Sequence, residues 1–122
     1  MQIRESAEMY LETILVLSEK GDVRSIDIAR EMNFSRPSVS VTVHNLEAEH
    51  YISITEKGNI ILEPKGREIA ERIYERHTVL TDILKNLGVS EETASNDACK
   101  MEHVISEETF DCIKKYLQSC KK

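Results

Sequence analysis

Among the 122 residues there is no apolar run approaching the roughly 18 residues that a membrane-spanning helix needs. The first ten residues, MQIRESAEMY, contain no apolar core of the kind a secretory signal requires. Both absences predict a cytoplasmic protein without membrane partners. Cysteine is scarce. Cys99, Cys112 and Cys120 are an odd number with no dense spacing, which argues against a disulfide framework and for thiols in a reducing compartment. Basic charge is in deficit: 16 Lys+Arg stand against 22 Asp+Glu, a formal net charge of −6. A general polyanion binder has a basic surface, so this balance argues against one. It leaves room for a DNA reader whose positive charge is local or arrives with a bound cation. Internal repeats, low-complexity linkers and a glycine-rich phosphate loop are also missing. A chain this long can build one domain with a modest core, or a small domain with a helical appendage.

What is present is mostly helical periodicity. In ESAEMYLETILVLSEK, Met9, Tyr10, Leu11, Ile14, Leu15 and Leu17 recur at helical spacing, with Ser6 placed to cap and Gly21 to stop the helix. RSIDIAREMNF predicts a helix of two or three turns, capped by Ser25, with Ile26, Ala29 and Met32 on one face. SRPSVSVTVHNLEAEHY predicts another, capped by Ser35, with Pro37 in its first turn and Val39, Val43 and Leu46 inward. Two short helices joined by a tight break at Asn33–Arg36 have the form of a helix-turn-helix. In YISITEKGNIILEPKG, Tyr51, Ile52 and Ile54 are strand-like, Lys57-Gly58-Asn59 turn, and Ile60–Leu62 return. A hairpin directly after a recognition helix is a wing.

From about Lys65 to Gly88 the chain is helical again, with Ile69, Ile73, His77, Leu80 and Leu84 at 3-4 spacing. Ser90 caps a helix predicted to run through Val104, and Ser106 starts a last one carrying Phe110, Ile113, Tyr116 and Leu117. These last apolar residues are core or dimer surface. In that helix Cys112 reads as a buried thiol, and Cys120 as part of a frayed tail. The fold class is therefore mostly α: a winged helix-turn-helix over 1–66, then a helical module over 67–122. That module has too little mass for an independent second core and suggests dimerisation.

The DNA reading rests on Ser35, Arg36, Pro37, Ser38, Ser40 and Thr42 near the start of the recognition helix. Short hydroxyls beside free backbone N–H groups suit phosphates, and Arg36 suits a phosphate or a guanine edge. Lys57 at the wing tip suits another phosphate. Read as structure alone, the hydroxyls are the solvent face of a helix. Residues 1–66 hold seven basic and eleven acidic side chains, a net of −4, which opposes DNA binding on charge alone. Either the acids lie on the far face, or a metal neutralises some of them, with Glu8 and Glu12 as candidates. His44 and His50 read as surface or packing residues.

The stretch DACKMEHVIS sets Cys99, Glu102 and His103 at positions i, i+3 and i+4, one face of a helix. Thiolate, carboxylate and imidazole are all ligands for divalent transition metals. The same spacing also fits a half-buried helix face with Cys99 as a small hydrophobe.

AEMYLETILVL, SRPSVSVTVHNLE and NDACKMEHVIS together resemble the first, recognition and metal-binding helices of one family. It is that of the iron- and manganese-dependent repressors of the diphtheria toxin repressor type. The resemblance covers nearly the whole chain. It implies a homodimer that binds double-stranded operator DNA when loaded with Fe(II) or Mn(II) and represses metal-uptake genes. Met9, Cys99, Glu102 and His103 stand at the primary-site places of the iron type. Glu12 and His77 stand at the two further ligand places of the manganese type. The chain is thus a hybrid of the two ligand sets. An ancillary iron-type site is not carried over, because Thr81 and Ser95 occupy its places. The short two-part architecture is like the manganese type. Met9 and Cys99 are soft ligands that favour Fe(II) over Mn(II), with Co(II), Ni(II) or Zn(II) as substitutes in vitro.

The rival reading is a winged-helix regulator answering to a non-metal or redox signal through Cys99. An enzyme with metal-activated water needs a separate general base and a pocket-forming unit, neither of which is evident, so no enzyme is expected. A purely structural helical dimer has no use for the ligand pattern.

Overall fold

The computed structural model describes residues 5–120. Its elements are α1 (Glu5–Ser18), α2 (Ser25–Met32), α3 (Arg36–Ala48), β1 (Ile52–Ile54), β2 (Ile60–Leu62), α4 (Pro64–Asn86), α5 (Glu91–Met101) and α6 (Glu107–Cys120). The fold is mostly helical, a winged helix-turn-helix followed by helices. Two compact units emerge, Met1–Glu71 and Arg72–Lys122, and the division falls inside α4. No helix among the described residues is long and apolar enough to cross a membrane.

In the first unit, α1 buries Tyr10, Leu11, Ile14 and Leu15, one stripe of its 3.6-residue repeat. Ser6 lies within α1 rather than capping it. The cap of α2 is Arg24, not Ser25. Arg24 takes the extended backbone of a cap, and its N–H donates to the Asp27 carboxylate at 2.9 Å, so Ser25 is already helical. The buried face of α2 is Ile28 and Ala29, while Ile26 and Met32 are half-buried. Asn33 turns the chain in the left-handed region (φ 58°), which Asn tolerates better than most residues. Ser35 then caps α3, its Oγ accepting from the Ser38 N–H at 3.4 Å, with Pro37 in the first turn. Val39, Val43 and Leu46 point inward, as their spacing predicts.

The wing pairs β1 with β2 antiparallel, in the register Ile52↔Leu62, Ser53↔Ile61 and Ile54↔Ile60. Ile60 and Leu62 are buried and Ile61 between them is exposed, the two-residue alternation of a half-covered strand. The Ile60 N–H donates to the Val23 carbonyl at 2.7 Å, and Arg24 Nε donates to Asn59 Oδ1 at 3.3 Å. Both bonds fasten the wing to the segment before α2. Tyr51, although buried, precedes the strand: its N–H donates to the Leu46 carbonyl and its carbonyl accepts from Glu63, each at 3.0 Å. Pro64 opens α4, where a missing N–H costs nothing. A Cβ at Gly66 would overlap the Tyr51 carbonyl oxygen, so only glycine lets α4 start this close to the wing.

In the second unit the buried apolar residues are Ile73, Leu80 and Ile83 of α4, Ala94 and Ala98 of α5, and Phe110 and Leu117 of α6. Ser90 caps α5, accepting from the Thr93 N–H at 3.4 Å. Ser106 caps α6, accepting from Thr109 at 3.1 Å. Both cysteines of α6 depart from what the sequence predicts. Cys112 is exposed, because α6 turns Phe110 and Leu117 inward and leaves 112 outside. Cys120 is still helical, so α6 does not fray before it.

Candidate metal centre and nucleic-acid interface

The recognition helix α3 buries 39, 43 and 46, so a helical repeat turns 37, 38, 41, 44 and 45 outward. All of Pro37, Ser38, Val41, His44 and Asn45 are exposed, as are Ser35 and Arg36 before them. Ser40 and Thr42, chosen from the sequence for their hydroxyls, are half-buried on the flanks. Val41 is 63 % exposed and was missed, as was Asn45. Each stands two residues from a buried valine, about 200° round the helix, so position on the face opposite the valines, instead of residue type, picks out both.

The hydroxyls are also partly engaged. Ser35 donates to Ser38 Oγ at 2.9 Å while capping the helix. His44 Nδ1 lies 2.7 Å from the Ser40 carbonyl and 3.5 Å from its hydroxyl. Arg36 and Lys57 are exposed. Lys65, also exposed, is engaged locally, donating to the Glu49 carbonyl at 3.2 Å and lying 4.1 Å from the centre of the Tyr51 ring. The acid excess of this unit has a local answer. No Asp or Glu occurs from Met32 to Leu46, so the turn and most of α3 carry no negative side chain.

In the second unit, α4 supplies His77, and the end of α5 supplies Cys99, Glu102 and His103. The helix ends at Met101 rather than Val104. Glu102 is its cap, still helical in backbone, with its N–H on the Ala98 carbonyl at 2.9 Å, and His103 opens the turn that follows. The Glu102 carboxylate is fully buried, and each of its oxygens faces an imidazole. Oε2 lies 3.0 Å from His77 Nδ1, and Oε1 lies 3.4 Å from His103 Nε2. Cys99, a turn earlier, is half-buried.

Burying a carboxylate is costly unless opposite charge and donors compensate it. The spacing also suits a cation. Ligand atoms bonded at about 2.1 Å stand about 3.0 Å apart in an octahedral shell and about 3.4 Å apart in a tetrahedral one. The Glu102 oxygens and the His77 and His103 nitrogens are donors that a first-row divalent metal accepts, so these residues fit such an ion. Thr81, at an ancillary-ligand place, spends its hydroxyl on the His77 carbonyl at 2.7 Å. Met9 and Glu12 are half-buried on α1 in the first unit.

One residue escaped the sequence reading. Arg76, 8 % exposed, donates through Nη1 to the carbonyls of Glu102 (3.2 Å) and Ile105 (3.0 Å). Its Nη2 donates to Glu107 at 2.8 Å, and its guanidinium lies 5.4 Å from the Phe110 ring centre. A charged residue beside a proposed ligand invites reading as surface, and no local pattern marks it as buried.

A winged reader of DNA and a carboxylate–imidazole cluster in one chain define the class: a DNA-binding regulator that takes its signal from a metal. The comparisons supply the family. Residues 2–60 match the model of the iron-dependent repressor N-terminal DNA-binding domain, and residues 63–122 match that of the iron-dependent repressor metal-binding and dimerisation domain. The chain belongs to the iron-dependent repressor family, whose members are metal-dependent DNA-binding transcriptional regulators. The transcriptional regulator MntR of Salmonella typhimurium is 34 % identical over 116 residues, covering 94 % of this chain and 74 % of the relative. The HTH-type transcriptional regulator MntR of Geobacillus kaustophilus is 37 % identical over 109 residues, covering 88 % and 77 %.

Among solved structures, the manganese regulator SloR superposes with a TM-score of 0.81 at 28 % identity, covering 97 % of this chain and 55 % of that one. IdeR of T. acidophilum superposes at 0.76 and 25 % identity, with the same coverage. The chain thus spans about half the length of these two structures.

Proposed function

We propose that the protein is a cytoplasmic, homodimeric repressor that binds operator DNA when loaded with Fe(II) or Mn(II), and that it governs metal-uptake genes. The observation that carries this reading is the fully buried Glu102 carboxylate between His77 and His103, in a chain that also carries a winged helix-turn-helix. The ligand set is Cys99, Glu102, His103 and His77 with Met9 and Glu12 of α1, as the family resemblance implies. The DNA set is Ser35, Arg36, Pro37 and Ser38 with Lys57, while Ser40 and Thr42 flank that face. Relatives named for manganese and a family model named for iron support either metal. The Met9 and Cys99 sulfurs favour iron.

The chemistry follows from the residues. Metal supplies the positive charge that compensates the buried carboxylate. A ligand set drawn from α1 and from α4–α5 makes the relative placement of reading and dimer modules metal-dependent. Two recognition helices in a dimer must match half-sites about one helical turn, or a multiple of it, apart. Metal then acts by binding the DNA-competent arrangement better than others. Tyr74, Leu87 and Tyr116 are exposed apolar side chains of the second unit and suit a dimer surface.

The test is an anaerobic pull-down of sheared genomic DNA from the source organism. It is run metal-free and with Fe(II), Mn(II), Co(II) or Zn(II), beside a Glu102→Ala/His103→Ala variant. Discrete fragments recovered only with metal, and only by the unsubstituted chain, support the reading. Equal recovery in every arm overturns the metal switch.

A further inference from the structure

We propose that Arg76 is a positioning residue for metal binding: it clamps the turn that presents Glu102 and His103. The inference rests on the metal reading above. Arg76 and His77 are consecutive on α4, so their side chains leave the helix about 100° apart. They grip the same residue at two ends. His77 meets the Glu102 side chain at 3.0 Å, and Arg76 holds the Glu102 backbone carbonyl at 3.2 Å. The second carbonyl held by Arg76, that of Ile105, lies on the far side of His103. One guanidinium therefore brackets the ligand-bearing turn, residues 102–105, from α4.

The placement has a reason. A helix end leaves its last carbonyls without intrahelical partners, and here that end also carries ligands. Water could satisfy those carbonyls but would leave the turn loose. A planar guanidinium offers five donors in a fixed fork and can span two carbonyls and a carboxylate at once. The Arg76 side chain is 10 % exposed, whereas Glu107 is 65 % exposed, so the carbonyl contacts are the sheltered part of the clamp. Groups that orient ligands without touching the metal commonly matter about 10–100-fold in metal affinity.

The experiment is an anaerobic Co(II) titration of the full chain, read by visible absorption, with thermal melts of the metal-free proteins. Arg76→Met is expected to weaken Co(II) binding by about 10–100-fold and to alter the d–d bands. Arg76→Lys keeps the charge but loses the fork, and is expected to fall between Arg76→Met and the unsubstituted chain. Glu107→Gln is expected to stay within about fivefold, as an exposed ion-pair partner should. Unchanged affinity and spectrum in Arg76→Met, even with a lowered melting temperature, would overturn the proposal. Should Arg76→Met not fold, unchanged affinity and spectrum in Arg76→Lys overturns it equally. Failure of the unsubstituted chain to take up Co(II) overturns the metal reading, and this inference with it.

Discussion

Glu102 is, as proposed, the central ligand of the metal site. Its carboxylate has no exposed surface, and its two oxygens face different imidazoles. Glu102→Gln keeps the shape and removes the charge. It should lower metal affinity by more than the roughly 10–100-fold that a supporting residue costs, as isothermal calorimetry would record. Metal also competes with protons for imidazole and thiolate. Affinity of the unsubstituted chain should therefore fall as pH is lowered and recover as it is raised. On the other unit Arg36 is exposed at the head of α3 in a stretch free of acids. Arg36→Ala should weaken operator binding. If the contact is to phosphate, binding measured across salt concentrations should lose about one from its log–log slope. If it is to a guanine edge, the loss should be confined to operators with that base, worth about 1–3 kcal/mol.

Helices and hairpin divide between features that were legible in the sequence and features set by neighbours. The stripe Val39/Val43/Leu46, the Ser35 cap and the turn after α2 depend on local periodicity and local hydrogen bonds, and all stand where the pattern puts them. The cap of α2 moved from Ser25 to Arg24 because Asp27 reached back to the Arg24 N–H. The end of α5 moved from Val104 to Met101, and Arg76 of α4 donates to the carbonyl of its cap, Glu102, and to that of Ile105 in the turn beyond. Gly66 shows the same dependence on a distant partner, since its necessity comes from the Tyr51 carbonyl on the far side of the wing. Gly66→Ala should force α4 and the wing apart and destabilise the first unit by about 1–3 kcal/mol, the range for overpacking a close contact, measured by chemical denaturation. The Lys114 ammonium is held above its usual range by its 2.8 Å hydrogen bond to Glu75 and the charge of that carboxylate. A raised folded-state value adds stability that is full at neutral pH and disappears only as strong alkali strips the proton.

For the whole molecule, function requires that a metal signal reach a DNA surface. As proposed, the route is a ligand set shared between α1 and the second unit, together with pairing of two chains. Leu117 is buried while Tyr116 beside it is 62 % exposed, so α6 keeps one face for its own core and turns another outward. If that outer face joins two copies, Tyr116→Glu should shift the chain toward monomer in analytical ultracentrifugation while leaving its helical content intact. Its operator affinity should fall with it, because one recognition helix reads only one half-site.

Periodicity, caps and turn residues act over a few positions, so the sequence alone determined the order of helices and wing and the inward face of α3. It also singled out Cys99, Glu102 and His103 as a ligand pattern, since three to four residues span one helical turn. Only the tertiary structure decided what depends on residues far apart in the chain. It set His77 of α4 against Glu102 at the end of α5, laid the exposed Lys65 over the Tyr51 ring, and turned Arg76 inward to the 102–105 turn. Burial of a charged side chain is decided by partners 26 to 31 residues away, as for Arg76, and no local pattern encodes that distance.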